Sequence, residues 1–259
     1  MVRFRKHRQG LVLLLVTLCQ PVQPFQAQPS ALAPHGPLPS AESLHYAIEW
    51  RLITAGKAHL TWSSIQSGYQ TNLQVESVGL VSKFFKVNDE YTSTLDRGLC
   101  AHSSLMKTSE GSRHRETKIT FDGDRKKATY LERDITKNSV VTSNEIDIPV
   151  CVSDIIGALY RMRILDIELG QSKQVPVSDG KKSAMVKVDA LSREQVKTPA
   201  GSYKTVRYEA FLFNKAIYPR SARVFVWLTD DARRLPVQVQ VRLQLHIGTI
   251  TLLLEREGA

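Results

Sequence analysis

The segment Thr229-Asp230-Asp231-Ala232-Arg233-Arg234 sets two carboxylates one residue ahead of two guanidinium groups. Such a cluster can catalyse hydrolysis, hold a cation, or fold a turn. Paired carboxylates work on one bond only when both reach it. Adjacent residues of an extended chain point to opposite faces, so Asp230 and Asp231 converge only if the backbone turns there. A calcium loop supplies several oxygen ligands at alternate positions, and two adjacent aspartates fall short of that. The flanks favour a turn. Val224, Val226 and Leu228 alternate with Phe225, Trp227 and Thr229, and after the polar run Leu235-Pro236 opens a second alternating stretch. Aspartate stabilises turns by accepting from nearby backbone amides, and proline stands readily at a strand start. Asp230, Asp231, Arg233 and Arg234 are therefore read as a structural turn, with carboxylate catalysis as the alternative.

Other reactive types lack partners at useful spacing. No G-x-S-x-G elbow, H-E-x-x-H or C-x-x-C pair, P-loop or dinucleotide fingerprint occurs. Catalytic residues, metal ligands and cofactors are accordingly assigned as none, and no ligand-binding residue is singled out. Cys100 and Cys151 are candidates for a disulfide in an oxidising compartment, two separate buried thiols being the alternative.

The N-terminus predicts export. Arg3, Arg5, Lys6 and Arg8 precede the apolar run Leu11–Leu18, and a proline-rich polar stretch follows. That is the pattern of a secretory signal peptide, residues 1–27, with cleavage after Ala27 or after Ala33. The apolar run is shorter than the roughly 20 residues of a membrane-spanning helix, so no transmembrane segment is expected once the signal is removed. A lipid anchor on Cys19 is disfavoured because Leu18 precedes it where small residues are usual. Residues 28–42 read as a disordered linker and 43–259 as a β-rich exported domain, located in the periplasm. Of the net charge of +10, the basic residues ahead of Gln9 carry four, leaving +6. No basic run is interleaved with aromatics, which argues against nucleic acid as a partner.

Within the domain the dominant period is two. In GKAHLTW, Ala58, Leu60 and Trp62 share one face and Lys57, His59 and Thr61 the other; Leu73 and Val75 continue the pattern. Asp122-Gly123 and Asp179-Gly180 predict hairpins with positive φ at the central residues, and Thr198-Pro199-Ala200-Gly201 a third turn. From Val237 to Ile247 the alternation implies one strand, about 35 Å long if unbroken. The phase flips after Gly248, which requires a bulge or a tight turn. One segment has helical spacing, Val152–Leu165, with Ser153 placed to cap it, Asp154 in the first turn and Gly157 suited to close packing. The fold class is mainly β: a single curved antiparallel sheet or open β-barrel with one short amphipathic helix packed against it.

The stretch WLTDDARRLPVQVQV (Trp227–Val241) resembles a family of exported bacterial proteins catalogued as domain of unknown function 3108. LHYAIEWRLITAGKAHLTW (Leu44–Trp62), SDIIGALYRMR (Ser153–Arg163) and VKTPAGSYKTVRYE (Val196–Glu209) are similar to further parts of it, in the same order. The resemblance implies an envelope protein, mostly antiparallel β, and supplies no catalytic residues. The function expected is a non-enzymatic envelope protein binding a lipid or other amphiphile on the concave face. The alternatives are a scaffold or assembly factor binding another envelope protein, and a carboxylate-based hydrolase.

Overall fold

The computed structural model describes residues 35–51, 53–212, 222–243 and 248–258. The signal segment, both cleavage positions, Cys19, the start of the linker, and the Leu245 and Ile247 end of the long alternating run lie outside the described residues. Fourteen strands form one antiparallel sheet: β1 (Ala41–Trp50), β2 (Ile53–Ile65), β3 (Gly68–Ser77), β4 (Asn88–Asp96), β5 (Ala101–Glu110), β6 (Arg113–Asp122), β7 (Lys127–Asp134), β8 (Ser139–Asp147), β9 (Ser172–Ser178), β10 (Ser183–Thr198), β11 (Gly201–Ala210), β12 (Ala222–Thr229), β13 (Pro236–Leu243) and β14 (Thr249–Glu257). Their order is β8-β7-β6-β5-β4-β3-β2-β1-β14-β13-β12-β11-β10-β9, with β8 and β9 as the edges, so the sheet does not close into a barrel. Two helices accompany it, α1 (Gly79–Phe84) and α2 (Ile155–Ile164). The six-residue α1 carries no side-chain cap and buries no residue, which is why period and capping signals do not reveal it.

The alternation in sequence sets the faces. Ala58, Leu60 and Trp62 are buried on the inner face, next to Leu44 and Tyr46 of β1. Lys57, His59 and Thr61 pair outward with Glu76, Gln74 and Asn72. β12 is buried on both faces. Val224, Val226 and Leu228 face the interior, while on the other face Phe225 is covered by Arg207, Arg223 and Arg242, whose guanidinium groups lie 4.8–5.7 Å from its ring, and the Trp227 indole donates to Glu194 at 3.1 Å. Long basic side chains shield apolar surface with their stems and meet the ring face with their charge.

Three turns differ in detail from expectation. Between β6 and β7 the loop has four residues, and Lys126 rather than Gly123 takes positive φ. Asp122 accepts from the amide of Arg125 at 2.9 Å, which sustains the wider loop. Between β9 and β10 only Gly180 has positive φ, and Asp179 accepts from the amides of Lys181 and Lys182. The long alternating run is not one strand: β13 ends at Leu243 and β14 returns antiparallel, Val241 facing Ile250 and the Leu243 amide bonding Gly248 O at 2.9 Å. The phase flip at Gly248 is therefore a reversal of the chain, because a hairpin restarts the count of alternating faces.

Because neighbouring strands are antiparallel, the connections alternate between two ends of the sheet. The β2–β3, β4–β5, β10–β11 and β12–β13 turns share one end; the β1–β2, β3–β4, β5–β6, β7–β8 and β13–β14 turns share the other. α2 lies across the first end. Ahead of β1, residues 35–40 also contact the body, the Trp62 indole donating to Pro39 O at 3.0 Å and the Gly36 amide to Ala232 O at 2.7 Å.

Candidate functional site

α2 forms because its start is capped and one side is apolar. Asp154 is the N-cap, its carboxylate accepting from the Gly157 amide at 2.8 Å. Ser153, expected at that position, instead donates to Leu99 O at 3.0 Å and receives Arg161 Nε at 2.8 Å. Asp154 takes the cap because its carboxylate reaches the amide three residues on, whereas the Ser153 hydroxyl is committed to Leu99 O. It is fully buried, and burial pushes its carboxyl above the ordinary aspartate range against the opposing hydrogen bonds from Tyr91 and Ser93. Gly157 is a close-approach position: a Cβ there would stand 2.6 Å from the buried Leu95 side chain and 2.5 Å from the capping carboxylate.

Two arginines in the last turn of α2 reach two different chain turns. Arg161 donates to Gly98 O and Leu99 O of the β4–β5 turn at 2.8 and 2.9 Å. The same turn carries Cys100, which is joined to Cys151 by a disulfide with a Cα–Cα distance of 4.9 Å. Arg163, in the same last turn, makes a two-pronged pair with Glu42 of β1 at 2.7 and 3.0 Å and donates to Arg233 O at 3.1 Å. Beside them Tyr160 stacks on Trp62 at 4.0 Å and donates to Glu42 at 3.1 Å.

The Asp230–Arg234 segment is the β12–β13 turn, and each of its four charged residues has a structural partner. Asp231 accepts from Thr229 Oγ1 at 2.7 Å and from the amides of Arg233 and Arg234 at 2.9 and 3.2 Å. Asp230 pairs with Arg193 at 2.7 Å. Arg233 reaches Glu257 of β14. The buried Arg234 guanidinium donates to Leu165 O and to Asp166 at 2.9 Å, so it satisfies a carbonyl left free at the α2 C-terminus. The two carboxylates do not converge on a shared point: one turns into the backbone, the other toward β10. Replacing Asp231 by Ala is expected to lower stability by about 1 kcal/mol through loss of turn hydrogen bonds, read as a lower urea midpoint at unchanged slope. An unaltered midpoint would remove the turn role.

Beneath α2 the inner face lines a cavity of about 170 Å³ that is open on one side. Its wall is almost wholly apolar: Ile155, Leu159 and Met162 from α2, Val186 and Val188 from β10, and Val224 and Val226 from β12, with Leu60 and Leu73 opposite. That β3 and β10 line one space shows how far the sheet curls. Tyr46 is the polar exception, and its hydroxyl is already spent on Pro236 O at 2.8 Å. Burial, then the neighbouring Glu42, keeps that phenol protonated far above its usual range. Ile155 also borders a second chamber of about 400 Å³, lined by Tyr91, Ser104, Tyr130, Lys181 and Lys182 among others. There the buried Glu132 accepts from Tyr130 at 2.8 Å and from Lys181 at 3.3 Å. Burial would raise the Glu132 carboxyl, but those donors and Arg113 hold it below the usual range. Among the described residues no cluster of three metal-ligating side chains occurs and no helix is long and apolar enough to cross a membrane.

A sequence model of the family described as protein of unknown function, DUF3108, matches residues 45–255. The chain belongs to the DUF3108 family. The match covers β1 to β14, α2 and the β12–β13 turn, the elements that build the cavity. Comparison with curated proteins finds no match. Among solved structures, the chain is similar to a beta-barrel-like protein of domain of unknown function DUF1849 from Brucella abortus. The identity is 8% and the TM-score 0.53, over 84% of this chain and 97% of that one. A DUF1089 family protein from Pseudomonas aeruginosa aligns at 13% identity and TM-score 0.39, over 73% and 90% of the two chains. The Brucella abortus structure shows a shared β-barrel-like fold.

Cavity residues were not individually legible in the sequence. Val186, Val188, Val224 and Val226 have the period of ordinary core positions, and nothing local separates a packed valine from one facing an empty space.

Proposed function

We propose that this DUF3108 protein is a non-enzymatic, exported cell-envelope protein that holds an alkyl chain of a lipid or other amphiphile beneath α2. The carrying observation is the apolar cavity of about 170 Å³ lined by α2 and the inner sheet face. Native interiors are packed closely, so an apolar void lined by eighteen residues loses contacts that an occupant would restore. At about 30 Å³ per water-sized group, the space takes five or six such groups, the end of one chain rather than a whole lipid. The adjoining chamber with Tyr130, Lys181 and Lys182 supplies hydrogen-bond donors and positive charge for a polar or anionic head. Export rests on the basic and apolar N-terminal pattern, and the Cys100–Cys151 disulfide supports an oxidising compartment such as the periplasm. The turn residues Asp230, Asp231, Arg233 and Arg234 serve in this reading to fix α2 over the cavity.

Native mass spectrometry of protein purified from the periplasm without detergent tests the reading. A bound mass released by organic solvent is expected. A protein that carries nothing and takes up no added fatty acid would sink the proposal.

A second reading has its own observation. β8 is an edge strand with solvent-exposed Val140 and Val141, and an exposed edge is a template for strand addition by a partner protein. One dominant envelope protein crosslinked from Val141 would favour that scaffold role.

A further inference from the structure

The two ends of the sheet differ in what they show to solvent. The end crossed by α2 is closed by the Glu42–Arg163 and Arg233–Glu257 pairs and the disulfide. At the opposite end the turns display large apolar side chains: Ile53 after the β1–β2 turn, Leu80, Phe84 and Phe85 on α1 and its end, and Ile135 in the β7–β8 turn. These are five of the nine large exposed apolar side chains among the described residues, and Phe84 is 82% exposed. Isolated exposed hydrophobics are ordinary; clustering at one end of a fold marks an interaction surface. The stretch Val78–Val87 adds Lys83 and Lys86 and contains no acid, and Glu110, bridged to Val87, faces Arg113 across its own hairpin. Aromatic and aliphatic side chains flanked by lysine match the interface of a bilayer with anionic headgroups, where rings enter the headgroup layer and ammonium groups meet phosphate.

We infer that this end of the sheet, led by Leu80, Phe84 and Phe85 with Lys83 and Lys86, docks on an anionic phospholipid surface. The inference rests on the amphiphile reading for its purpose. Leu212 and Val224 of the cavity wall belong to the β11–β12 end of their strands, which by strand order is the same end of the sheet as α1. Its test is separate.

Vesicle flotation compares phosphatidylcholine vesicles with vesicles also containing phosphatidylglycerol. The full-length mature protein is expected to float with the second and only weakly with the first. Leu80→Ser/Phe84→Ser/Phe85→Ser is expected to lose binding roughly tenfold or more, since the buried apolar contact sets the affinity. Its melting temperature should hold, because α1 buries no residue. Lys83→Glu/Lys86→Glu should lose binding to the anionic vesicles and tests the surface without touching the aromatics. The inference is overturned if wild type does not float, if it floats equally with both vesicles, or if both variants float like wild type. Loss of self-association in the triple variant, seen by sedimentation velocity without any vesicle binding, would assign the patch to a second copy of the chain and also overturn it. Flotation with an empty cavity by mass spectrometry would leave docking standing and the amphiphile reading fallen.

Discussion

Arg163→Met is expected to destabilise the protein by about 3–5 kcal/mol, the cost of stranding one member of a buried ion pair. The Glu42 side chain is 7% exposed and that of Arg163 2%, and the two share two hydrogen bonds. Removing the guanidinium leaves a carboxylate under α2 that keeps the Tyr160 hydroxyl as donor and the Arg233 charge nearby. It also frees Arg233 O, so the link between α2 and the β12–β13 turn weakens at the same stroke. The double variant Glu42→Gln/Arg163→Met should recover a large part of the loss, because a neutral amide tolerates that site better than an unpaired charge. Urea unfolding of the three proteins reads this directly. A single variant within about 1 kcal/mol of wild type, the value of an exposed pair, would mean that α2 is not anchored through this contact.

The second large effect is redox-dependent. The Cys100–Cys151 bond joins positions 51 residues apart, and in the chain-entropy account a loop of that size is worth about 4 kcal/mol. Cys100→Ser/Cys151→Ser should lower the melting temperature by roughly 8–16 °C, at about 2–4 °C per kcal/mol for a domain of this size. Wild type in reducing buffer should behave like the variant. Arg161 continues to hold Gly98 O and Leu99 O, so α2 should remain helical while its N-terminal attachment loosens. Equal melting temperatures with and without reductant would show that the bridge contributes nothing to the folded state.

How much of this was readable beforehand follows from which forces are local. Faces of strands were legible because burial on one side imposes a period of two: Ala58, Leu60 and Trp62 face inward as their spacing requires. α2 was legible from its apolar spacing, but its cap was shifted by one, since Ser153 and Asp154 are both good caps and tertiary contacts with Leu99 decide between them. The β12–β13 turn was visible as a turn. Its role was not, because Arg234 meets Leu165 O and Asp166 across a separation of almost seventy residues. The break at Leu243 was hidden because the apolar alternation in the sequence runs on to Ile247, past the last residue of β13. Least legible was the cavity, which depends on how tightly fourteen strands curl. No local residue pattern encodes that curvature.

The central claim is that the space beneath α2 holds an alkyl chain. Photolabelling with a fatty acid bearing a diazirine on its tail, followed by peptide mapping, tests it where it matters. The account predicts adducts concentrated on Ile155–Met162 of α2 and on Val186–Val188 and Val224–Val226, with labelling suppressed by unlabelled fatty acid. Adducts confined to the exposed α1 end or the β8 edge, with none on these cavity segments, would contradict it.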